Sequence, residues 1–277
     1  MQRLAGKSMT LILGKKRAII VISDELWQYA LLEVLPVMIL LRKRDLIAAF
    51  FICSCVVLAL GFTSIVRSDE EVFSRLEWSS FTVIIDAGHG GEDGGAVSAS
   101  GVKESDLNLL IACRLEEIFH FLGQKTVMTR REDVSLGDQS LNTVRDRKSS
   151  DLQRRVVLAN TTPEAVLISI HQNSLPSSPV THGAQVFWNR QGGAEELAES
   201  IQKVLNQSVN SEHVKKAKPI PESIYLTRNA KVPSVIVECG FLSNTEETKL
   251  LQQPQYQLKL AGAITAGYLQ SLKEEFE

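Results

Sequence analysis

Residues 81–96 read FTVIIDAGHGGEDGGA, a β-branched apolar run that breaks into a turn with glycine at 88, 90, 91, 94 and 95. The run FTVIID (81–86) has the composition of a buried strand. The glycines mark a turn that needs unusual backbone dihedrals and close approach. A phosphate-cradling loop is the rival reading. It fails because neither G-x-G-x-x-G nor G-x-x-x-x-G-K-[ST] fits, and Glu92 and Asp93 would repel an anion. What remains is a strand end that presents His89 and carboxylates.

Downstream the same grammar repeats. Residues 104–122 place Leu107, Leu110, Ile111, Leu115 and Ile118 at helical spacing, with Gly123 as a helix stop. KTVMT (125–129) reads as a strand, Asp133–Ser150 as a mobile surface loop, and a helix is expected near 151–160. AVLISIH (165–171) and GAQVFW (183–188) read as strands, and Ala194–Val209 as a helix. SIYLT (223–227) and SVIVEC (234–239) read as strands, and Tyr256–Leu272 as an amphipathic helix. Six strands interleaved with helices predict an α/β fold, a six-stranded, largely parallel central sheet flanked by helices. In such sheets ligands bind beyond the strand ends.

Charge divides the chain. Residues 1–45 carry eight Lys/Arg against four Asp/Glu, residues 46–66 carry none, and residues 67–277 carry 22 against 28. A net-negative main body without a basic run argues against nucleic acid as a partner. The stretch Leu46–Val66 is 21 residues without charge, long enough as a helix for a span of roughly 30 Å. Arg42, Lys43 and Arg44 precede it and Asp69, Glu70 and Glu71 follow it. The expected order is a cytoplasmic segment 1–45, a transmembrane signal anchor 46–66 in the bacterial cytoplasmic membrane, a stalk 67–80, and a catalytic domain 81–277 on the outer side. Ala59-Leu60-Gly61 resembles a cleavage site, and cleavage there would release the domain. A start at Met38 would give a compact export signal, leaving 1–37 as an over-extended reading frame or a cytoplasmic tail. The four cysteines, 53, 55, 113 and 239, form no C-x-x-C pair, so neither a zinc ribbon nor a disulfide framework is expected.

Three strand ends carry chemistry: Asp86–Gly91, Ser169–Asn173 and Glu238–Gly240. His171 closes an apolar strand and is followed by polar residues. Glu238 interrupts SVIVECGFL, where an unpaired buried carboxylate would cost several kcal/mol. Two imidazoles and a carboxylate suit Zn²⁺ with a fourth position open for water. Such an ion would lower the water's pKa toward about 7 and polarise a carbonyl, while a second carboxylate moves the proton. Spacing alone leaves Glu104, Asp93 and Asp106 open as the third ligand. Asp86 and Asn173 are candidates for orienting the histidines, and Arg130, Asp133 and Arg155 for ion-paired scaffold or substrate contact. His120, His182 and His213 read as structural or solvated. A thiol hydrolase built on Cys239 would need a cationic setting or helix N-terminus that the strand lacks.

The segments VIIDAGHGGEDGGA, KES (103–105), SIHQNS (169–174) and VECGFLSN (237–244), with LQRRVVLAN and MTRRED, resemble the zinc-dependent N-acetylmuramoyl-L-alanine amidases from about Phe81 to the C-terminus. The resemblance implies one zinc ion on His89, Glu104 and His171, and Glu238 as catalytic acid/base. It implies cleavage between the lactyl group of N-acetylmuramic acid and L-alanine in peptidoglycan. Ala87, where proline is frequent, and Cys239 depart mildly from the pattern. One membrane segment, no wall-binding repeat and KAKPIPESIYLTRNAKVPSVIVECGFLSN look closest to the germination-specific spore-cortex amidases. That subgroup implies muramic-δ-lactam formation jointly with a deacetylase, and an accessory lipoprotein is a possible partner. The alternatives are a vegetative autolysin of the same family, a zinc peptidase of the stem peptide, or a non-catalytic wall-binding module.

Overall fold

The computed structural model describes residues 9–14, 17–22, 81–210, 213–221 and 223–274. Leu46–Val66 and the stalk lie outside the described residues. Among those described, no helix is long and apolar enough to cross a membrane. Near the N-terminus, β1 (Met9–Gly14) and β2 (Arg17–Ile22) form an antiparallel hairpin, in a unit separate from the domain that follows.

That domain is built on a six-stranded sheet. Its strands are β3 (Thr82–Ala87), β4 (Thr126–Met128), β5 (Ala165–Asn173), β6 (Gln185–Trp188), β7 (Lys218–Pro219) and β8 (Ser234–Phe241), in the order β4-β3-β5-β8-β6-β7. All neighbours are parallel except β6 and β8. Three apolar runs, FTVIID, AVLISIH and SVIVEC, become the interior strands β3, β5 and β8, because a parallel sheet covered on both faces has no polar side to offer. Val83, Ile84 and Ile85 are fully buried, as are Ile168, Val235 and Val237. The edges are short, and Pro219, which cannot donate to a ladder, sits in edge strand β7.

Helices α1 (Glu104–Phe121), α3 (Ala194–Ser208) and α6 (Pro254–Glu274) bury one face of the sheet. Their Leu115, Ile201 and Ile264 join Ile85, Ile168 and Val237 in the larger core. Helices α2 (Val144–Thr161) and α4 (Tyr225–Asn229) cover part of the other face, where Ile84, Leu167, Ala159 and Leu226 make a smaller cluster. Helix α5 (Thr245–Leu251) follows β8 directly, with the Asn244 side chain capping the N–H groups of Glu246 and Glu247.

Several expectations are corrected here. SIYLT is no strand: its second half opens α4, because burying Leu226 against Ala159 and Leu167 outweighs the strand preference of a short β-branched and aromatic run. The sixth strand is instead Lys218–Pro219. Helix α2 starts at Val144 rather than near 151, capped by Thr143 Oγ1, which accepts from Asp146 N at 3.1 Å. The expected surface loop 133–150 therefore ends in helix, and it is anchored. Arg147 donates to both Glu92 oxygens at 2.6 and 2.8 Å, and Asp151 accepts from Ser135 Oγ and Leu136 N.

Candidate metal centre

The turn after β3 holds the centre. His89 sits at φ +63, a left-handed conformation that a β-carbon makes unfavourable, and three side chains hold it there. Arg155 on α2 donates to Asp86, to Ala87 O at 2.9 Å and to His89 O at 2.8 Å. Arg130 donates to Ala87 O at 2.9 Å, Gly88 O at 3.0 Å and Ser105 O at 2.8 Å. Asp133 accepts from Gly91 N at 2.8 Å. All of these bonds lie within the scaffold of the turn.

Arg155 is 2% exposed and spans two carboxylates, Asp86 and Asp151. Burial acts to raise the Asp86 pKa, but Arg155 and the Ser169 hydroxyl at 2.5 Å outweigh it and hold it below the usual aspartate value. Asp86 is thus spent on Arg155 and Ser169 and orients neither histidine. Asn173, the other residue expected in that role, accepts from Ser174 N through its own side chain. The orienting carboxylate is Asp93, whose Oδ2 accepts from His89 Nδ1 at 2.8 Å and is tied to Lys148 Nζ at 3.0 Å. That bond fixes the proton on Nδ1 and leaves Nε2 as a donor atom for a ligand.

Three atoms then converge. Glu104, the first residue of α1, places Oε1 3.3 Å from His89 Nε2 and 2.9 Å from His171 Nδ1. His89, Glu104 and His171 form the group among the described residues that could hold a metal ion, with ligand atoms all within 4.8 Å of one another. Asp106, two residues on and on the opposite side of the helix, is exposed, and Asp93 lies behind His89, on its Nδ1 side. Glu104 is itself held: Ala96 N donates to Oε2 at 2.9 Å and Gln172 N to Oε1 at 3.1 Å. Asn108, one turn on, donates to Gly88 O at 3.1 Å and accepts from Gln172 Nε2 at 3.2 Å. Asn108 and Gln172 were not anticipated; the i, i+4 spacing of Asn108 from Glu104 was the available signal. A β-carbon at Gly88 would collide with the His171 ring, and one at Gly95 would lie 2.6 Å from Glu104 Oε2.

Electrostatics match this arrangement. Burial acts to lower the His89 pKa, but hydrogen bonds to Asp93 and Glu104 lift it to about 9. Burial acts to raise Glu104, and the two imidazoles drive it far below the usual glutamate value. Glu238 is the opposite case. It stands on β8 in register with His171 on β5, so both side chains leave the same face of the sheet. Its Oε2 is buried without a hydrogen-bond partner. Burial pushes its pKa up to about 7, with nearby Glu104 adding to the rise and His171 and His89 opposing it. Cys239, next in the chain, points into the larger core, fully buried, and burial pushes its thiol well above the ordinary value. It is no nucleophile.

The remaining histidines stand apart from this cluster: His120 Nε2 lies 2.6 Å from Thr126 Oγ1, and His182 and His213 stack edge to face at 4.5 Å.

The model of the Amidase_3 family, described as N-acetylmuramoyl-L-alanine amidase, matches residues 83–270. The chain belongs to this amidase family. It is an enzyme that hydrolyses the N-acetylmuramoyl-L-alanine amide of peptidoglycan. The amidase is 35% identical over 200 residues to the germination-specific N-acetylmuramoyl-L-alanine amidase of Bacillus subtilis, covering 72% of this chain and 83% of that one. It is 31% identical over 191 residues to the amidase LytC of the same species, but spans only 34% of it. Its fold matches the CwlD amidase from Clostridioides difficile, solved in complex with the GerS lipoprotein, with a TM-score of 0.67 and 35% identity, over 70% of this chain and 100% of that one.

Proposed function

We propose that the amidase works with one zinc ion held by His89, Glu104 and His171, with Glu238 as acid/base, on spore-cortex peptidoglycan. The donor chemistry supports the metal. Two nitrogens and one oxygen lie within 4.8 Å of one another, with the His89–Glu104 pair at 3.3 Å, about the separation of ligands roughly 2.0–2.1 Å from a tetrahedral zinc, and three protein ligands leave a position open. When bound, zinc supplies Lewis-acid activation of water and of the scissile carbonyl. The chain's residues do the rest. Asp93, accepting from His89 Nδ1, orients the ring with Nε2 toward the other two ligand atoms, and the Arg130–Arg155 clamp holds the turn that carries it. Glu238 takes the proton of the attacking water and delivers it to the nitrogen of L-alanine as the amide breaks.

The observation that carries this reading is Glu238: a buried, unpartnered carboxylate oxygen, titrating near neutrality, in register with His171. A non-catalytic wall-binding module has no use for that arrangement. The cortex role is supported by the likeness to the germination-specific amidase of B. subtilis. It carries with it a product destined, with a deacetylase, for muramic-δ-lactam. The CwlD–GerS structure supports an accessory lipoprotein as partner, and the uncharged run Leu46–Val66 supports an anchor holding the domain outside the cytoplasmic membrane.

Mass spectrometry of peptidoglycan treated with the purified chain, with chelator and with zinc restored, tests the chemistry. The expected product is stem peptide with a free L-alanine amine beside intact muramic acid, lost on chelation. Cleavage within the stem would move the enzyme to the zinc peptidases. Finding cortex muramic-δ-lactam unchanged after deletion of the gene would refute the cortex role.

A further inference from the structure

Helix α1 buries Leu107, Ile111, Ala112 and Leu115, and among them stands Asn108, a primary amide with no exposed surface. A buried amide costs free energy unless its hydrogen bonds are made. Here they are made, and each goes to a segment that carries one of the three candidate ligands. Nδ2 donates to Gly88 O at 3.1 Å, on the residue before His89, and to Oε1 of Glu104, one turn back, at 3.4 Å. Oδ1 accepts at 3.2 Å from Nε2 of Gln172, the residue after His171. A carbonyl oxygen only accepts, so Gly88 O fixes which end of the Asn108 amide donates, and that in turn fixes the Gln172 amide. The Gly88 bond reaches His171 as well. A β-carbon at Gly88 would collide with the His171 ring, so the peptide that Asn108 holds is the surface on which that ring rests.

We infer that Asn108 is a positioning residue that presets His89, Glu104 and His171 for zinc, which rests on the reading of those three as the ligand set. Ligands already gathered lose little side-chain freedom when the ion arrives, so binding free energy is not spent on ordering them. Arg130 shares Gly88 O, and Asp93 orients the His89 ring, but neither bonds to the β5 segment. Among the described residues, Asn108 is the side chain that bonds to all three segments.

The test measures the zinc affinity of the purified full chain by competition with a chelator of known affinity, beside thermal melts in excess chelator. Asn108→Leu removes every one of these bonds and is expected to weaken zinc binding by about 10–100-fold. Gln172→Met removes only the arm toward His171 and is expected to weaken it by up to about ten-fold. The double variant is expected to match Asn108→Leu, since both changes break one shared bond. Free zinc above the new Kd is expected to restore kcat, with KM unchanged. Leu115→Ala, two turns along the same helix, is the packing control: it is expected to lower the chelated melt by roughly 5–15 °C and leave zinc affinity unchanged. Unchanged affinity in Asn108→Leu and Gln172→Met would overturn the proposal, as would an equal loss in Leu115→Ala or a loss of activity that added zinc does not restore. Should Asn108→Leu fail to fold, Gln172→Met decides alone. A wild type that binds no zinc would refute the ligand set itself, and this proposal with it; a wild type that binds zinc leaves Asn108 to be judged by its own variants.

Discussion

Replacing Glu238 by glutamine should make the metal-free protein more stable and the enzyme inert. Glu238 rises from an ordinary 4.5 to about 7 because its carboxylate end is buried without a partner. Below pH 4.5 the side chain is neutral in both folded and unfolded chains and adds no penalty. As pH rises, the unfolded chain ionises first, and the folded state loses about 1.4 kcal/mol per pH unit until it also ionises near pH 7. Above that point the loss is constant at about 3 kcal/mol. Glutamine is near in shape and never ionises, so Glu238→Gln should recover most of that at pH 8 and nothing at pH 4. For a domain of about 200 residues, 3 kcal/mol corresponds to roughly 6–12 °C in Tm. Thermal melts of wild type and variant in chelator, at pH 4, 6 and 8, should therefore coincide at the first pH and diverge at the last. Restoring zinc should shrink the gap, since a cation nearby favours the carboxylate. Turnover should fall by about 10²–10⁴-fold at every pH. Melts that differ equally at pH 4 and pH 8 would refute the desolvation argument, whatever happens to activity.

Glu104→Gln and His171→Ala should each lose bound zinc, read by metal analysis of the purified protein, together with activity; a full equivalent of zinc in either would remove that residue from the ligand set. Arg155→Met leaves Asp86 buried without its cation and should cost about 3–5 kcal/mol in denaturant melts, with less loss when Asp86→Asn is added. Because the Asp86 pKa lies below its ordinary 3.8, its stabilisation is complete above that pH and disappears as pH falls further. The wild-type advantage over the double variant should therefore fade in acid. Cys239→Ser should keep kcat within a few-fold, since the thiol is buried in the core and held protonated; a dead but folded variant would revive the thiol hydrolase.

The parts of the fold legible in the sequence were those where burial and local pattern agree. FTVIID, AVLISIH and SVIVEC became the three central strands because each is buried on both faces, so its composition carries the whole signal. The failures lie where that agreement breaks. The two residues of β7 hold no pattern at all; they are a strand only because Phe187 and Trp188 are there to pair with. Tyr225–Asn229 holds a strand-like composition but is helical because Leu226 has a core cluster to enter. The start of α2 was hidden because a first turn whose exposed positions are Arg145, Asp146 and Lys148 shows little apolar periodicity.

At the site the division is between what the chain presents and what the fold brings up behind it. Histidines at strand ends and a carboxylate inside an apolar strand are visible in one dimension. Choosing Glu104 from Asp93 and Asp106 is not, because all three lie within 14 residues and differ only in the direction each takes after the glycine turn. That direction is set by the Arg130 and Arg155 clamp, whose residues stand more than 40 positions downstream of Ala87. The same geometry explains why Asp86, beside the turn in sequence, does not serve the histidines: the clamp needs a buried counter-charge, and Asp86 supplies it. Exchanging the roles would leave buried Arg155 with Asp151 alone, so the carboxylate that orients His89 comes from the loop itself, at Asp93.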